Sequence, residues 1–177
     1  MTCILGLEDK GQVWLGSDSY LGDADSRDIL DRPKWFRKGP LVLAYYGGFR
    51  EAQVLEHSLT IRQPRRNEKP MSFLTNAVAK VVQEGMDANG VHRNNGEVGA
   101  GFLLVYSGLL YTLQEDFSVV RSRRGYAALG IGSAYALGAL AALRTRLPPR
   151  EAVTEALQHT CDWCPLVSKP ISVEVFG

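Results

Sequence analysis

The chain has no apolar run approaching the roughly 18 residues of a membrane-spanning helix, so a bilayer partner is not expected. It has no excess of one charge either: 20 Lys and Arg stand against 19 Asp and Glu, a net +1. That balance carries no electrostatic footprint of a nucleic-acid or membrane surface. The densest basic stretches, Arg62 to Arg66 (broken by Pro64) and Arg121 to Arg124, read as solvated loops. Cysteine is scarce and odd in number, at three, which argues against a disulfide framework and for a reducing compartment. The N-terminus lacks a basic segment followed by an apolar one, so no secretory leader is expected and the cytoplasm is the default location.

What is present is ordinary globular material. The 177 residues are 45% hydrophobic and 22% charged, enough for one domain over 1–177 with a sizeable core. Apolar segments at 3–8 and 12–18 flank Asp9-Lys10-Gly11, a hairpin signal. A polar, Asp-rich stretch from Leu21 to Arg32 reads as an irregular loop. Residues 34–37 and 41–46 form a second strand pair, broken by Gly47-Gly48. Helical spacing predicts helices over 49–61, 72–86, 134–146 and 150–160. Further strands are expected at 100–106, 109–114, 117–120, 126–129 and 171–176. Strands grouped in hairpins and helices grouped in pairs argue against an alternating βαβ pattern. The expectation is an α+β fold, two antiparallel sheets with a helix pair outside each.

Position 2 carries the chemistry. Thr2 is small enough to permit removal of Met1, which would leave a free α-amine beside its own hydroxyl, nucleophile and base in one residue. Asp18 ends the second strand sixteen residues later, Lys34 opens the third strand after thirty-two, and Gly48 follows the fourth after forty-six. Gly130-Ile131-Gly132-Ser133 precedes the third helix and Asp162 lies at the end of the fourth. These motifs and intervals resemble those of the proteasome β-type and HslV-like N-terminal-nucleophile (Ntn) threonine peptidases, over most of the chain.

The resemblance implies a four-layer αββα sandwich and peptide-bond hydrolysis through an acyl-enzyme. Thr2 would be the nucleophile and its amine the base, with an ordinary pKa of roughly 7.7–8 near working pH. Lys34 would lower the proton affinity of the hydroxyl, Asp18 would hold Lys34 charged, and the Gly48 N–H would face the oxyanion. Ser133 and Asp162 would bond around the amine. The resemblance also implies a homo-oligomeric ring of six or seven subunits, which can stack, fed with unfolded protein by an HslU-like ATPase. No cofactor is expected for the chemistry. Two alternatives stay open, a non-catalytic shell subunit of the same fold and an Ntn amidase acting on a small molecule.

Other signals are weaker. Gly130-x-Gly132 lacks the third glycine of a dinucleotide loop. His159-x-Cys161-x-x-Cys164 offers three zinc ligands within six residues and no distant partner. The segment reads instead as a helix end with carbonyls in need of partners. The resemblance implies that the backbone carbonyls of Cys161, Cys164 and Val167 hold a sodium ion, with the thiols as spectators. His57 and His92 have no acidic or serine partner at a recognisable spacing and read as structural.

Overall fold

A computed structural model describes residues 1–22 and 25–177. Asp23 and Ala24, inside the expected 21–32 loop, lie outside the described residues.

Strands β1 (Ile4–Asp9) and β2 (Gln12–Ser17) form the first hairpin. Its two-residue turn places Lys10 at φ 48° and Gly11 at φ 78°, the positive-φ pair that matches strand twist. With β10 (Tyr126–Leu129) and β11 (Ser172–Phe176) these build a four-stranded antiparallel sheet, order β10-β1-β2-β11. The second sheet has five antiparallel strands: β5 (Trp35–Lys38), β6 (Leu41–Gly47), β7 (Ala100–Tyr106), β8 (Leu109–Leu113) and β9 (Val119–Val120). Part of the expected irregular loop is a small ribbon, β3 (Tyr20–Gly22) paired with β4 (Arg27–Ile29). All of β4 is exposed, so no apolar alternation advertised it.

Helix α1 (Phe49–Gln53) runs into a π-helical turn, Val54–Ser58. Helix α2 (Pro70–Phe73) continues through a π-helical segment, Leu74–Ala79, into α3 (Lys80–Ala88). Helices α4 (Ser133–Leu143) and α5 (Pro149–Trp163) pack as a pair.

Strand alternation sorts the apolar residues into three layers. In β6, Leu41, Leu43 and Tyr45 face α1–α3 in one core, while Val42 and Ala44 face the other sheet. In β1, Leu5 and Leu7 pack with α4 and α5, while Ile4 joins Val13, Leu15, Leu103 and Val105 between the sheets. The outcome is an αββα sandwich, the α+β fold expected.

One end of the sandwich is closed. A Cβ on Gly108, in the β7–β8 turn, would lie 2.1 Å from the Gly11 carbonyl, so the hairpin tips of the two sheets touch. The Glu8 carboxylate ties that end further, accepting the Leu110 N–H at 2.8 Å and pairing with Arg121 at 2.8 Å. The opposite end, where β1 begins and β6 finishes, holds the candidate site.

Candidate active site

The site is assembled from the ends of strands. Ser17 pairs with Ile4 in the β1–β2 register, which sets Asp18 against the residues preceding β1. The Asp18 N–H donates to the Cys3 carbonyl at 3.2 Å, and the Cys3 N–H donates back to Asp18 Oδ1 at 2.9 Å. Asp18 Oδ2 accepts from the Tyr20 N–H at 2.9 Å and the Ser168 N–H at 3.3 Å. Oδ1 also accepts from Lys34 Nζ at 2.8 Å. Four donors converge on this buried carboxylate, which holds it in place.

Lys34 immediately precedes β5 in the other sheet. Its carbonyl accepts the Tyr45 N–H at 3.0 Å and its own N–H donates to Ser17 Oγ at 3.3 Å, so its backbone is held at both ends. The side chain crosses to the first sheet and is 0% exposed. Nζ has three acceptors for its three N–H donors: Asp18 Oδ1, Thr2 Oγ at 3.2 Å and the Met1 carbonyl at 3.2 Å. Thr2 Oγ donates its own proton to the Met1 carbonyl at 2.6 Å. Burial pushes the Lys34 ammonium below its ordinary pKa, and Asp18 pulls it back up. A buried cation with a full set of acceptors beside a hydroxyl lowers the cost of forming the alkoxide.

Glycines shape the wall behind Thr2. Gly130 has φ +92°, and a Cβ there would stand 2.2 Å from the Thr2 carbonyl. The Gly132 N–H donates to that carbonyl at 3.4 Å. Ser133 begins α4 one residue on, its N–H donating to the Gly130 carbonyl at 3.0 Å. The segment 130–133 therefore meets Thr2 through its glycines.

Two expected roles do not match the geometry. Asp162 is not brought to Thr2: its side chain is 57% exposed and pairs with Lys169 at 3.6 Å. It lies on the outer side of α5. Gly48 does not offer its N–H to the site, because that N–H donates to the Gly99 carbonyl at 3.2 Å. Neighbouring N–H groups along a strand point to opposite sides. Tyr45 donates toward β5 and Gly48 toward β7, so Gly47 is the residue whose N–H faces the Lys34 side, beyond the end of β5. Gly47 also has φ +96°, and a Cβ on it would lie 2.0 Å from the Gly99 carbonyl. Only glycine fits there.

Two site residues escaped the sequence reading. Ser17 sits inside the Gly16–Ser19 motif, yet nothing in the pattern separates its backbone-holding hydroxyl from a turn former. Ser168 is 1% exposed, and its Oγ, beside Asp18, is buried without a hydrogen-bond partner among the described residues. A serine in the irregular 164–171 connector carries no local signal. Its place follows only from β11 pairing with β2, Ser172 opposite Ser17, which routes the connector past Asp18.

At the end of α5 the Cys161 carbonyl would look for the N–H of residue 165, which is Pro165 and has none. The Cys164 carbonyl accepts the Val167 N–H at 3.1 Å, with a lone pair to spare. Oxygen donors at an uncapped helix end suit a hard cation. The Cys161 thiol does not compete, since burial pushes it up to about 11. Among the described residues no group of three His, Cys, Asp or Glu side chains is placed to hold a metal ion. Among them, too, no helix is long and apolar enough to cross a membrane.

No family model matches the chain, and no curated protein matches its sequence. Solved structures do match in shape. Thiobacillus denitrificans BPH in complex with epoxomicin superposes with a TM-score of 0.83 at 14% identity, covering 98% of this chain and 97% of that one. Eukaryotic HslV from Trypanosoma brucei gives 0.71 at 17% identity, covering 98% of each. Anbu (ancestral beta-subunit) from Yersinia bercovieri gives 0.70 at 14% identity, covering 98% of this chain and 81% of that one. The chain has the fold of the proteasome-type Ntn hydrolases to which HslV belongs, the resemblance its motifs suggested.

Proposed function

We propose that this protein is an N-terminal threonine peptidase, acting as a homo-oligomeric ring that degrades unfolded protein delivered by an ATPase partner. The observation that carries the reading is the Lys34 ammonium, fully buried and touching both Asp18 Oδ1 and Thr2 Oγ. Burying a charge costs several kcal/mol unless it is well paired. Nothing in core packing calls for a lysine at that point, whereas a hydroxyl nucleophile does.

With Met1 removed, the Thr2 amine takes the hydroxyl proton and Oγ attacks the scissile carbonyl. Lys34 stabilises the forming alkoxide, and Asp18 fixes the ammonium. The Gly47 N–H donates to the developing oxyanion, in place of Gly48. The amine then protonates the leaving amine, giving an ester on Thr2 that water hydrolyses. The unpartnered Ser168 hydroxyl and the Ser133 hydroxyl are the groups proposed to orient the amine. A sodium ion on the Cys161, Cys164 and Val167 carbonyls would brace the connector that carries Ser168, and the cytoplasm suits the free thiols.

An epoxyketone tests the chemistry, because its stable adduct needs both the hydroxyl and the free amine of one residue. Intact mass after treatment should show one adduct per subunit on the Met1-free protein, and none on Thr2→Ala. A Met1-free protein with neither adduct nor peptide hydrolysis would be the non-catalytic shell. Adduct formation with small amides cleaved and peptides untouched would make it the amidase.

A further inference from the structure

We propose that the hollow between the two sheets beside Thr2 receives a basic side chain of the substrate, giving the peptidase a preference for lysine or arginine near the scissile bond. This rests on the peptidase reading above. The hollow has a volume of about 270 Å³ and is lined by Tyr46, Thr112 and Leu129 with Glu97, Glu115 and Asp116 among its other walls. Its position follows from strand register. Leu129 pairs with Ile4 and precedes Gly130, whose backbone abuts the Thr2 carbonyl. Tyr46 precedes Gly47, the proposed oxyanion donor. The hollow therefore opens one residue away from each glycine that frames the nucleophile.

Three carboxylates on an open surface would be a solvated face and nothing more. Here they rim a cavity whose other walls are the Tyr46 ring, Leu113 and Leu129, together with the polar Thr112 and Gln114. That combination suits a side chain with an apolar stem and a cationic head, the methylenes against the Tyr46 ring and the leucines and the head on the acids. Among the described residues no lysine or arginine lines the hollow. Among the described residues none of the three acids forms an ion pair. Glu115 accepts the Tyr46 hydroxyl at 2.5 Å and Asp116 accepts the Ser118 N–H at 2.8 Å. The neighbouring hollow shares Glu97 and Glu115 and is lined also by His92 and Arg93. The Arg93 guanidinium is already committed, paired with Asp87 and set 4.9 Å from the centre of the Phe117 ring. The negative charge beside the nucleophile is thus left for an incoming cation.

The test is a set of fluorogenic peptides differing at one position at a time, carrying arginine, a neutral aliphatic residue or glutamate, assayed on the Met1-free protein. One position should favour arginine over glutamate by about tenfold or more in kcat/KM, an advantage that added salt shrinks. Glu97→Lys, on the exposed wall, leaves the Tyr46–Glu115 contact in place and should shrink that preference several-fold. The triple change Glu97→Gln, Glu115→Gln, Asp116→Asn should bring arginine and glutamate peptides to within about threefold while hydrolysis of the neutral peptide persists. Equal cleavage of the three peptides by wild type, or an arginine preference that survives Glu97→Lys and the triple change, overturns the pocket and leaves the peptidase standing. Absence of both epoxyketone adduct and hydrolysis of any peptide removes the peptidase and the pocket with it.

Discussion

The candidate nucleophile lies against charged neighbours, and under the proposed mechanism these fix how the rate should respond to pH. The N-terminal amine is pushed below its ordinary value of 8.0, by burial first and then by Lys34, with Asp18 pulling the other way. That amine belongs to Met1. With the terminus at Thr2, the amine belongs to the residue whose Oγ lies 3.2 Å from Lys34 Nζ. The base must be neutral to accept the hydroxyl proton, so activity should rise as pH climbs through its pKa. The expected profile of kcat/KM has an ascending limb centred below 8, flat before pH reaches about 9. A limb centred well above 8 would mean that the base is some other group. Asp18 and Lys34 were legible as residues because each ends or opens a strand at a fixed interval from Thr2. Ser168 was not, because its position depends on the pairing of strands 155 residues apart, Ser172 with Ser17.

At the scale of the strand, alternation decides which glycine N–H turns toward the Lys34 side. The sequence shows Gly47-Gly48 as a pair and cannot say which N–H faces the site; the β6 register can. Tyr45 donates to Lys34 on one side and Gly48 to Gly99 on the other, which leaves the Gly47 N–H on the Lys34 side. The two glycines should therefore respond oppositely to alanine. Gly47→Ala places a Cβ 2.0 Å from a backbone oxygen at φ +96°, so it should cost about 1–3 kcal/mol or more in stability and abolish activity. Gly48 has φ −72°, and the three atoms nearest a Cβ on it all belong to the Glu51 carboxylate, the far end of a flexible side chain. Gly48→Ala should retain the fold and most activity, read by denaturant unfolding and peptide hydrolysis. The reverse ranking would restore Gly48 as donor. Most strands and helices were legible for the same reason that this register is firm: apolar periodicity of two or 3.6 tied each to a core. The β3–β4 ribbon had no buried face, and the π-helical turns shift the helix spacing without changing which residues are apolar.

For the whole molecule, the helical layer is the unfinished part. Helix α4 contains no charged residue, and it leaves Ala134, Tyr135, Gly138, Ala141 and Ala142 exposed. Such a helix is ordinarily buried on every side, yet the sheets cover only the face with Ala136 and Leu140. Against β10 it leaves a hollow of about 480 Å³, walled by Leu137, Gly138 and Ala141. The proposed assembly supplies a cover, a second subunit laid on this face. Gly138 gives a clean way to ask, because a Cβ there meets nothing within 4 Å. Gly138→Arg should leave the subunit folded, and even slightly steadier, since arginine is the better helix former by about 0.5–1 kcal/mol. It should also place a charge in the middle of the apolar contact. Light scattering should then give a multiple of the subunit mass for wild type and a smaller species for Gly138→Arg, with thermal unfolding unchanged once both are compared as subunits. A wild type that stays monomeric would remove the ring. Wild-type-sized assemblies of Gly138→Arg would move the contact to another face, leaving the apolar surface of α4 to be explained by something other than a second copy.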